Sequence, residues 1–236
     1  MRTPPDSFLE SAAHMDIQFE GDDLDRLGHW LELLVAGNER MNLTRILHPE
    51  DAWHRHVLDS LSLLPMIATA GARSLIDIGS GGGAPGIPLA VVCPELRVGL
   101  VETTGKKATF LEETVGVLGL ENVTVFNDRA ERLAAHGEPQ REAWDIVTAR
   151  AVGRLPVLLE LTVPFARVDG HVLAIKGGQA DEEIEEARAA LHRLHVSVVE
   201  TVRTTTGTIV VIEKPRPTPK CYPRGAGEPK RSPLRG

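Results

Sequence analysis

The sequence predicts a doubly wound α/β fold, in which a helical cap precedes a mostly parallel seven-stranded sheet that ends in an antiparallel hairpin. Three observations support this prediction. Helical periodicity fills the first part of the chain, short apolar runs then alternate with helical segments, and a turn at Gly207 joins the last two strand-like runs. A parallel pair needs a crossover of about a dozen residues or more, so this final pair must be antiparallel.

Helices come first along the chain. Residues 1–21 contain two early prolines among scattered polar residues and predict a flexible N-terminus. From Asp22, leucines recur on one helical face, and a second helix is predicted over residues 49–64, where a proline stops it. We therefore expect a helical cap over residues 22–70.

Strands and helices then alternate, and we expect them to form one domain over residues 71–213. The predicted strands cover residues 74–78, 97–102, 122–126, 145–149, 170–176, 195–202 and 208–213. The predicted helices between them include residues 106–118, 155–165 and 180–194. A parallel sheet with a terminal antiparallel hairpin is typical of class I methyltransferases and less typical of nicotinamide-binding domains.

Composition bounds the kind of protein. The chain has 42% hydrophobic and 25% charged residues, the balance of a soluble globular protein. Two cysteines, Cys93 and Cys221, lie far apart and in no metal-ligand spacing, which favours a reducing compartment. The sequence shows no signal peptide and no apolar run long enough to span a membrane, so we expect a cytoplasmic protein.

Charge is distributed unevenly along the chain. The net charge is −7, but residues 214–236 carry seven basic side chains and one acidic one. This basic segment could attract phosphate locally even though the whole chain is acidic. A solubilising, disordered tail is an equally good interpretation of its composition, and we predict disorder here.

The main chemical feature is D-I-G-S-G-G-G-A-P-G-I-P at residues 77–88. Its glycines, Gly79 and Gly81 among them, allow sharp turns and a close approach of the backbone to a ligand. The loop follows the first strand and precedes a helix, where a doubly wound sheet opens its ligand crevice. A dinucleotide and S-adenosylmethionine are both compatible with this pattern. The prolines at positions 85 and 88 favour S-adenosylmethionine, because a pyrophosphate requires a helix N-terminus with free amides.

Two further segments are candidate cofactor contacts. Glu102 ends the second strand and could accept hydrogen bonds from both ribose hydroxyls, although a solvated strand end would look the same. Residues 127–131 follow the third strand, where backbone amides near Ala130 and Glu131 could bind an adenine edge. A helix-capping turn with Asp128 as the cap is nearly as good an interpretation.

Several motifs together resemble one family, the small-subunit rRNA guanine-N7 methyltransferases named RsmG, formerly glucose-inhibited division protein B. The resemblance covers about residues 25–215, and the order and spacing of its motifs are specific. They are N-L-T (42–44), R-H-V-L-D-S-L (55–61), D-I-G-S-G-G-G-A-P-G-I-P-L (77–89), G-K-K-A-T-F-L (105–111), R-A-E (129–131), A-R-A-V (149–152) and A-I-K-G (174–177).

The resemblance implies a class I methyltransferase that modifies one guanine of 16S rRNA near the decoding region, with rRNA or the small ribosomal subunit as partner. It also implies S-adenosylmethionine contacts at several positions, which are Gly79, Ala84, Ala130, Glu131 and Arg150. Arg129, Arg150 and Lys176 match positions that the family keeps basic near the reacting base. We assign Arg129 and Lys176 to phosphate or base contacts and Arg150 to holding the site together, with surface charge as the plainer alternative.

The sequence departs from the family at two places. Many members have proline where Gly82 or Gly83 stands, and a basic residue where this chain has Thr204–Gly207, so one RNA contact is in doubt. Transfer to guanine N7 needs no general base, and we predict none. We also predict no metal and a monomer, and we expect Trp30 and Trp53 to lie in the core. A dehydrogenase and a non-catalytic regulator are the alternative functions.

Overall fold

A computed structural model describes residues 1–234 and contains one seven-stranded sheet with helices on both faces. The strands are β1 (Ser74–Ile78), β2 (Arg97–Val101), β3 (Val123–Phe126), β4 (Trp144–Arg150), β5 (Ala166–Lys176), β6 (Ser197–Arg203) and β7 (Thr208–Lys214). Their order across the sheet is β3-β2-β1-β4-β5-β7-β6. The first five run parallel, and β7 lies antiparallel between β5 and β6. The predicted fold class is confirmed.

The sheet places the candidate site at its carboxyl edge. All five residues of β1 are buried, because helices cover both faces of a parallel sheet. β1 lies between β2 and β4, and the chain leaves these three strands at the same edge. The connection from β1 leads to β2 on one side, whereas β4 lies on the other. A ligand crevice opens at such a reversal of strand order.

The helices form a cap before the sheet and layers on its two faces. They are α1 (Asp6–His14), α2 (Asp23–Asn38), α3 (Pro49–Ala52), a π-helix (Trp53–Leu58), α4 (Asp59–Leu61), α5 (Leu64–Thr69), α6 (Gly86–Val92), α7 (Gly105–Leu118), α8 (Ala130–Leu133), α9 (Leu155–Thr162), α10 (Ala180–Glu186), α11 (Arg188–Leu194) and α12 (Glu228–Arg231). The single helix predicted over residues 180–194 is therefore two helices, separated at Ala187. Within residues 1–234, no helix is both long and apolar enough to cross a membrane.

Two hydrophobic cores lie on opposite faces of the sheet. On the cap side, Trp30 and Trp53 are fully buried among leucines of the cap and of α6 and α7. The prediction that these tryptophans belong to the core is confirmed. On the other side, α9, α10 and α11 pack over the sheet together with Trp144. The cap is thus part of the main core, and its position relative to the sheet is fixed by packing.

The predicted flexibility of residues 1–21 differs from the structure, which has α1 in this segment. Phe8 is fully buried, and its ring centroid lies 4.7 Å from that of Trp53. The Trp53 indole donates a hydrogen bond to the Met1 carbonyl at 3.0 Å. Phe8 and Ala12, one helical turn apart, supply the apolar contacts that order the segment.

The predicted disorder of residues 214–236 is wrong for the part that the structure describes. Lys214 ends β7, its side chain is buried, and it pairs with Glu142 at 2.7 Å. The segment from 215 to 234 packs against α9 and ends in the buried Leu234. Its basic residues are partly neutralised by acids of the domain, which composition alone does not reveal. Arg235, included in that prediction, lies outside the described residues.

Candidate active site

A glycine-rich loop, residues 79–86, follows β1 at the carboxyl edge of the sheet. Gly79 (φ +76°), Gly81 (φ +54°) and Gly83 (φ +101°) adopt backbone conformations that strain other residues. A Cβ atom at Gly79 would also lie 2.9 Å from Cγ2 of Val152. The loop therefore brings backbone, without side chains, to the opening of the crevice.

The cap holds this loop in place. The indole nitrogen of Trp30 donates a hydrogen bond to the Gly82 carbonyl at 3.1 Å. A Cβ atom at Gly82 would collide with the side chain of Leu34, and one at Gly83 with Ile87. These contacts explain why glycine occupies both positions in this chain.

Glu102, directly after β2, lies beside the loop with its carboxylate oriented by backbone amides. Oε2 accepts a hydrogen bond from the Gly81 amide at 3.1 Å, and Oε1 accepts one from the Thr104 amide at 2.8 Å. The side chain of Asn127 donates to the Glu102 carbonyl at 3.0 Å. Each carboxylate oxygen retains a lone pair, so Glu102 can still accept hydrogen bonds from a ligand diol.

Asp77 in β1 is a site residue that the sequence interpretation did not single out. Its side chain is buried, and neither carboxylate oxygen has a hydrogen-bond partner of good geometry among residues 1–234. Burial raises the pKa of Asp77 to about 7, although the nearby Arg150 cation acts against the rise. A buried carboxylate with free acceptors beside a glycine loop fits a ligand that carries positive charge, as S-adenosylmethionine does.

Arg150 ends β4 and bridges the sheet to the cap. Its guanidinium donates to the Arg55 carbonyl at 2.8 Å and to Nδ1 of His56 at 3.2 Å. A guanidinium has no acceptor, so Nδ1 must accept and the ring proton must be on Nε2. Nε2 then donates to Oγ1 of Thr44 at 2.8 Å. Burial, with the Arg150 and Arg55 charges, lowers the pKa of His56 to about 3, so the ring is neutral.

His56, which contacts Arg150 and Thr44, lies in a π-helix. The sequence predicts one regular helix over residues 49–64, but the turns across Trp53–Leu58 are wider than in an α-helix. Such wide turns occur frequently at functional sites. The conformation places the Arg55 carbonyl and the His56 ring on the same guanidinium.

The cap also contacts the final hairpin through Asp59 and Thr206. The Thr206 hydroxyl donates a hydrogen bond to Oδ1 of Asp59. Burial raises the pKa of Asp59, and the Thr206 hydrogen bond and the Arg150 and Arg55 charges oppose the rise. At the position where the family resemblance suggested a basic RNA contact, this chain has a cap contact.

The turn after β3 places the side chains of the three predicted residues 129–131 in different surroundings. The side chain of Arg129 is exposed, whereas Ala130 and Glu131 are buried at the start of α8. The Glu131 carboxylate accepts a hydrogen bond from the Gly227 amide at 2.6 Å and is directed toward the C-terminal segment. The backbone of Ala130 and Glu131 is therefore the part of this turn that can face a ligand.

Lys176, at the end of β5, is not free to contact a substrate. Its ammonium group pairs with the Glu183 carboxylate at 2.6 Å and donates to the Gly153 carbonyl at 2.7 Å, and the residue is 8% exposed. Glu183 also accepts from the Leu155 amide at 2.7 Å. The assignment of Lys176 to a phosphate or base contact disagrees with this geometry. Burial with a neighbouring acid gives the lysine a structural role beneath the loop after β4.

That loop, residues 151–154, borders the glycine loop. Ala151 has φ of +59°, an uncommon conformation for a residue with a Cβ atom. Val152 contacts the position of Gly79, and Gly153 accepts the hydrogen bond from Lys176. Such strained backbone is frequent at functional sites.

No group of three or more histidine, cysteine or acidic side chains within residues 1–234 is arranged to hold a metal ion. A cavity of about 860 Å³ lies between the cap and the hairpin side of the sheet, lined by Met15, Asp59, Met66, Leu173 and Val202 among others. It does not include the glycine loop. Glu102 and Arg150 are also absent from its lining.

Comparison with solved structures supports the fold. An O-methyltransferase from Bacillus cereus in complex with SAH is 18% identical, with a TM-score of 0.57 over 87% of this chain and 97% of that one. The O-methyltransferase TomG from Streptomyces achromogenes, in complex with SAM, is 14% identical, with a TM-score of 0.58 over 87% and 96%. These similarities support the class I methyltransferase fold.

Sequence relatives are much more similar. The ribosomal RNA small subunit methyltransferase G of Sorangium cellulosum is 50% identical over 94% of this chain and 92% of its own length. The protein of the same name from Halalkalibacterium halodurans is 42% identical over 89% and 91%. The family model described as GidB, rRNA small subunit methyltransferase G, matches residues 23–210. The resemblance seen in the motifs is thereby confirmed, and the chain belongs to the rRNA small subunit methyltransferase G family.

Proposed function

We propose that this chain transfers a methyl group from S-adenosylmethionine to N7 of one guanine in the decoding region of 16S rRNA. Membership of the family confirms the predicted enzyme class, an rRNA methyltransferase that uses S-adenosylmethionine. The observation that carries the proposal in the structure is the juxtaposition of the glycine loop, Glu102 and Arg150 at the carboxyl edge of the sheet. The proposal places the reaction in the cytoplasm, on rRNA or the small ribosomal subunit.

The chain offers a different group to each part of the cofactor. Glu102, already oriented by two amides, would accept hydrogen bonds from the ribose hydroxyls. The backbone at Gly79, Gly81 and Ala84 would contact the amino acid portion. Asp77 places a buried carboxyl group without a hydrogen-bond partner beneath the same loop, where it can pair with positive charge on the ligand. The backbone of Ala130 and Glu131 would border the adenine.

Methyl transfer to guanine N7 does not require a protein acid or base. S-adenosylmethionine supplies an electrophilic methyl group, and guanine N7 has an available lone pair, so no proton has to leave before attack. Rate enhancement then depends on holding N7 in line with the methyl group. The neutral His56, with its pKa far below 7, is part of the scaffold around Arg150 and is not needed as a base.

Arg150 is the residue best placed to hold this geometry. Two of its donors are engaged by the cap, at Arg55 and His56, which leaves other guanidinium hydrogens for a ligand. Methylation at N7 makes the base cationic, so positive charge directly against the ring would oppose the reaction. We therefore propose that Arg150 positions the substrate through its edge and fixes the cap against β4.

Exposed cations near the crevice suit the RNA backbone. Arg129 follows β3, and Arg40 and Arg45 lie in the segment between α2 and α3, whose Leu43 would contact a Cβ atom at Gly82. None of these three arginines forms an ion pair with an acid within residues 1–234. Free, exposed guanidinium groups are the usual contacts to phosphates. They take the role that the sequence interpretation gave to Lys176.

The test is to map methylation in RNA. Deletion of the gene should remove one N7-methylguanosine from 16S rRNA, and purified protein with S-adenosylmethionine should restore it on small subunits or rRNA from the deletion strain. A Glu102→Ala variant should fail to restore it, whereas Glu95→Ala, a change at an exposed acid near β2, should succeed. An unchanged methylation pattern in the deletion strain would contradict the proposal. Hydride transfer with a nicotinamide cofactor would favour the dehydrogenase alternative.

A further inference from the structure

The C-terminal segment, residues 215–234, reaches the cofactor side of the domain although it lies outside residues 23–210, which the family model matches. It follows β7, crosses α9, and includes the single turn α12. Two independent sets of contacts join it to α8, the short helix that begins at Ala130. We call residues 215–234 the C-terminal strap.

The first connection is to Glu131. The amide of Gly227 donates a hydrogen bond to Glu131 Oε1 at 2.6 Å, and the Glu131 side chain is buried. Gly227 has φ of +77°, so glycine suits the conformation that points this amide at the carboxylate. A backbone donor from the strap therefore fixes a side chain of the turn expected to border adenine.

The second connection is made by Arg141. Its guanidinium donates to the Ala134 carbonyl at 2.9 Å, at the end of α8. The same group donates to the Tyr222 carbonyl at 2.7 Å and to the Thr218 carbonyl at 2.9 Å, both in the strap. One cation thus joins the strap to the end of α8 opposite Glu131.

The strap is itself anchored on α9. Arg224 donates from Nε to Glu160 Oε1 at 2.8 Å and from Nη2 to Oε2 at 2.6 Å. The backbone amide of Arg224 also donates to Glu160 Oε1 at 3.0 Å, and Glu160 is fully buried. A bidentate pair on a buried acid fixes both the position and the direction of the strap.

Helix α8 needs such support. It has four residues, and a helix of one turn has little stability of its own. Its position must come from tertiary contacts, and the strap provides them at both of its ends. We infer that the C-terminal strap is a positioning element of the methyl-donor site, with Glu131, Arg141 and Arg224 as positioning residues. This inference rests on the proposed function, because it takes the backbone at residues 130–131 to bind the cofactor.

The inference is tested by binding of S-adenosylhomocysteine to the full-length protein, measured by calorimetry. Glu131→Ala removes the acceptor for the Gly227 amide and leaves the Arg224 anchor intact. We expect the affinity for S-adenosylhomocysteine to fall about tenfold, because the hydrogen bond between strap and α8 no longer holds residues 130–131 in place. Hydrogen exchange should rise in peptides covering residues 128–135. The KM for S-adenosylmethionine should rise with little change in kcat at saturating cofactor or in the KM for RNA.

Two further variants separate positioning from general stability. Arg224→Ala should weaken S-adenosylhomocysteine binding in the same direction, and Glu131→Gln, which keeps an oxygen acceptor, should recover part of the affinity lost in Glu131→Ala. Lys230→Ala is the matched control, because Lys230 is an exposed strap residue. The affinity of this variant for S-adenosylhomocysteine should equal that of the unmodified protein.

The outcomes are distinguishable. If Arg224→Ala and Glu131→Ala lower the melting temperature but bind S-adenosylhomocysteine like the unmodified chain, the strap is only structural and the inference is wrong. The inference is also wrong if kcat falls in Glu131→Ala while the KM for S-adenosylmethionine stays constant. Failure of the unmodified protein to bind would contradict the proposed function itself, before any variant is considered.

Discussion

Two neighbouring parallel strands end in a basic residue at the same edge of the sheet, and the two residues have different surroundings. Lys176 of β5 is buried against the Glu183 carboxylate. Arg150 of β4 has no carboxylate within ion-pair distance in residues 1–234 and bonds instead to a carbonyl and a neutral ring. The same position at a strand end therefore supports a buried ion pair in one case and, in the other, a guanidinium bonded to the cap, for which we propose a substrate-positioning role. The neighbouring helix decides which.

The largest effect on stability is expected at Lys176. Lys176→Ala leaves the Glu183 carboxylate buried without its partner, which should cost about 3–5 kcal/mol in free energy of unfolding. Urea denaturation measures this loss. Activity per folded molecule should change far less than stability. If the variant is as stable as the unmodified protein and has lost RNA binding, Lys176 is a substrate contact after all.

Arg150→Ala should lower activity more than stability, the reverse of the effect expected for Lys176→Ala. Removing the residue that fixes the cap against β4 and orients the base should lower kcat/KM for methyl transfer about 100-fold, the scale of a small misplacement of reacting groups. The melting temperature should fall less than in Lys176→Ala, because Arg150 forms no ion pair with a buried acid within residues 1–234. Filter-binding assays with labelled S-adenosylmethionine and small subunits measure the rate. Normal turnover in Arg150→Ala would remove the residue from the site.

His56 predicts a pH dependence of stability. Its pKa in the folded chain, about 3, lies below the ordinary value of 6.5, so the unfolded state binds the proton first as pH falls. Stability from this group is complete above about pH 6.5 and decreases toward pH 3, with a loss of about 1 kcal/mol by pH 5.5. Asp77 acts in the opposite direction, because its raised pKa adds stability as pH falls below about 7.

The test therefore compares the pH dependence of the free energy of unfolding in the unmodified protein and in His56→Gln. His56→Gln lacks the titrating group, so its free energy of unfolding should decline less than that of the unmodified chain between pH 7 and pH 5.5. Equal slopes in the two proteins would mean that His56 is not held neutral by its surroundings.

The smallest effect is expected at the hairpin. Thr206→Val removes the hydrogen bond to Asp59 and should cost about 1 kcal/mol of stability, the typical net value of one hydrogen bond. Thr205→Val, a change at an exposed neighbour, is the control. A loss of RNA affinity in Thr206→Val without a loss of stability would indicate that this hydroxyl contacts the substrate.

Local patterns predicted much of this molecule. The succession of strands along the chain, the terminal hairpin, the glycine loop and the core tryptophans follow from periodicity and from short motifs that act within a few residues. The partners of Lys176 and Glu131 could not be predicted, because each contact depends on how separate elements of the chain pack together. The prediction of disorder for residues 214–236 failed for the same reason, since Glu160 and Glu142, far away in the chain, hold Arg224 and the Thr218 amide.

The central claim is that the crevice at the end of β1 binds S-adenosylmethionine. Calorimetric titration of the purified protein with S-adenosylhomocysteine tests it most directly. We expect saturable binding of one molecule per chain, weakened strongly in Glu102→Ala and unchanged in Glu95→Ala. An absence of binding heat, together with no protection of the glycine loop in hydrogen exchange, would contradict the account.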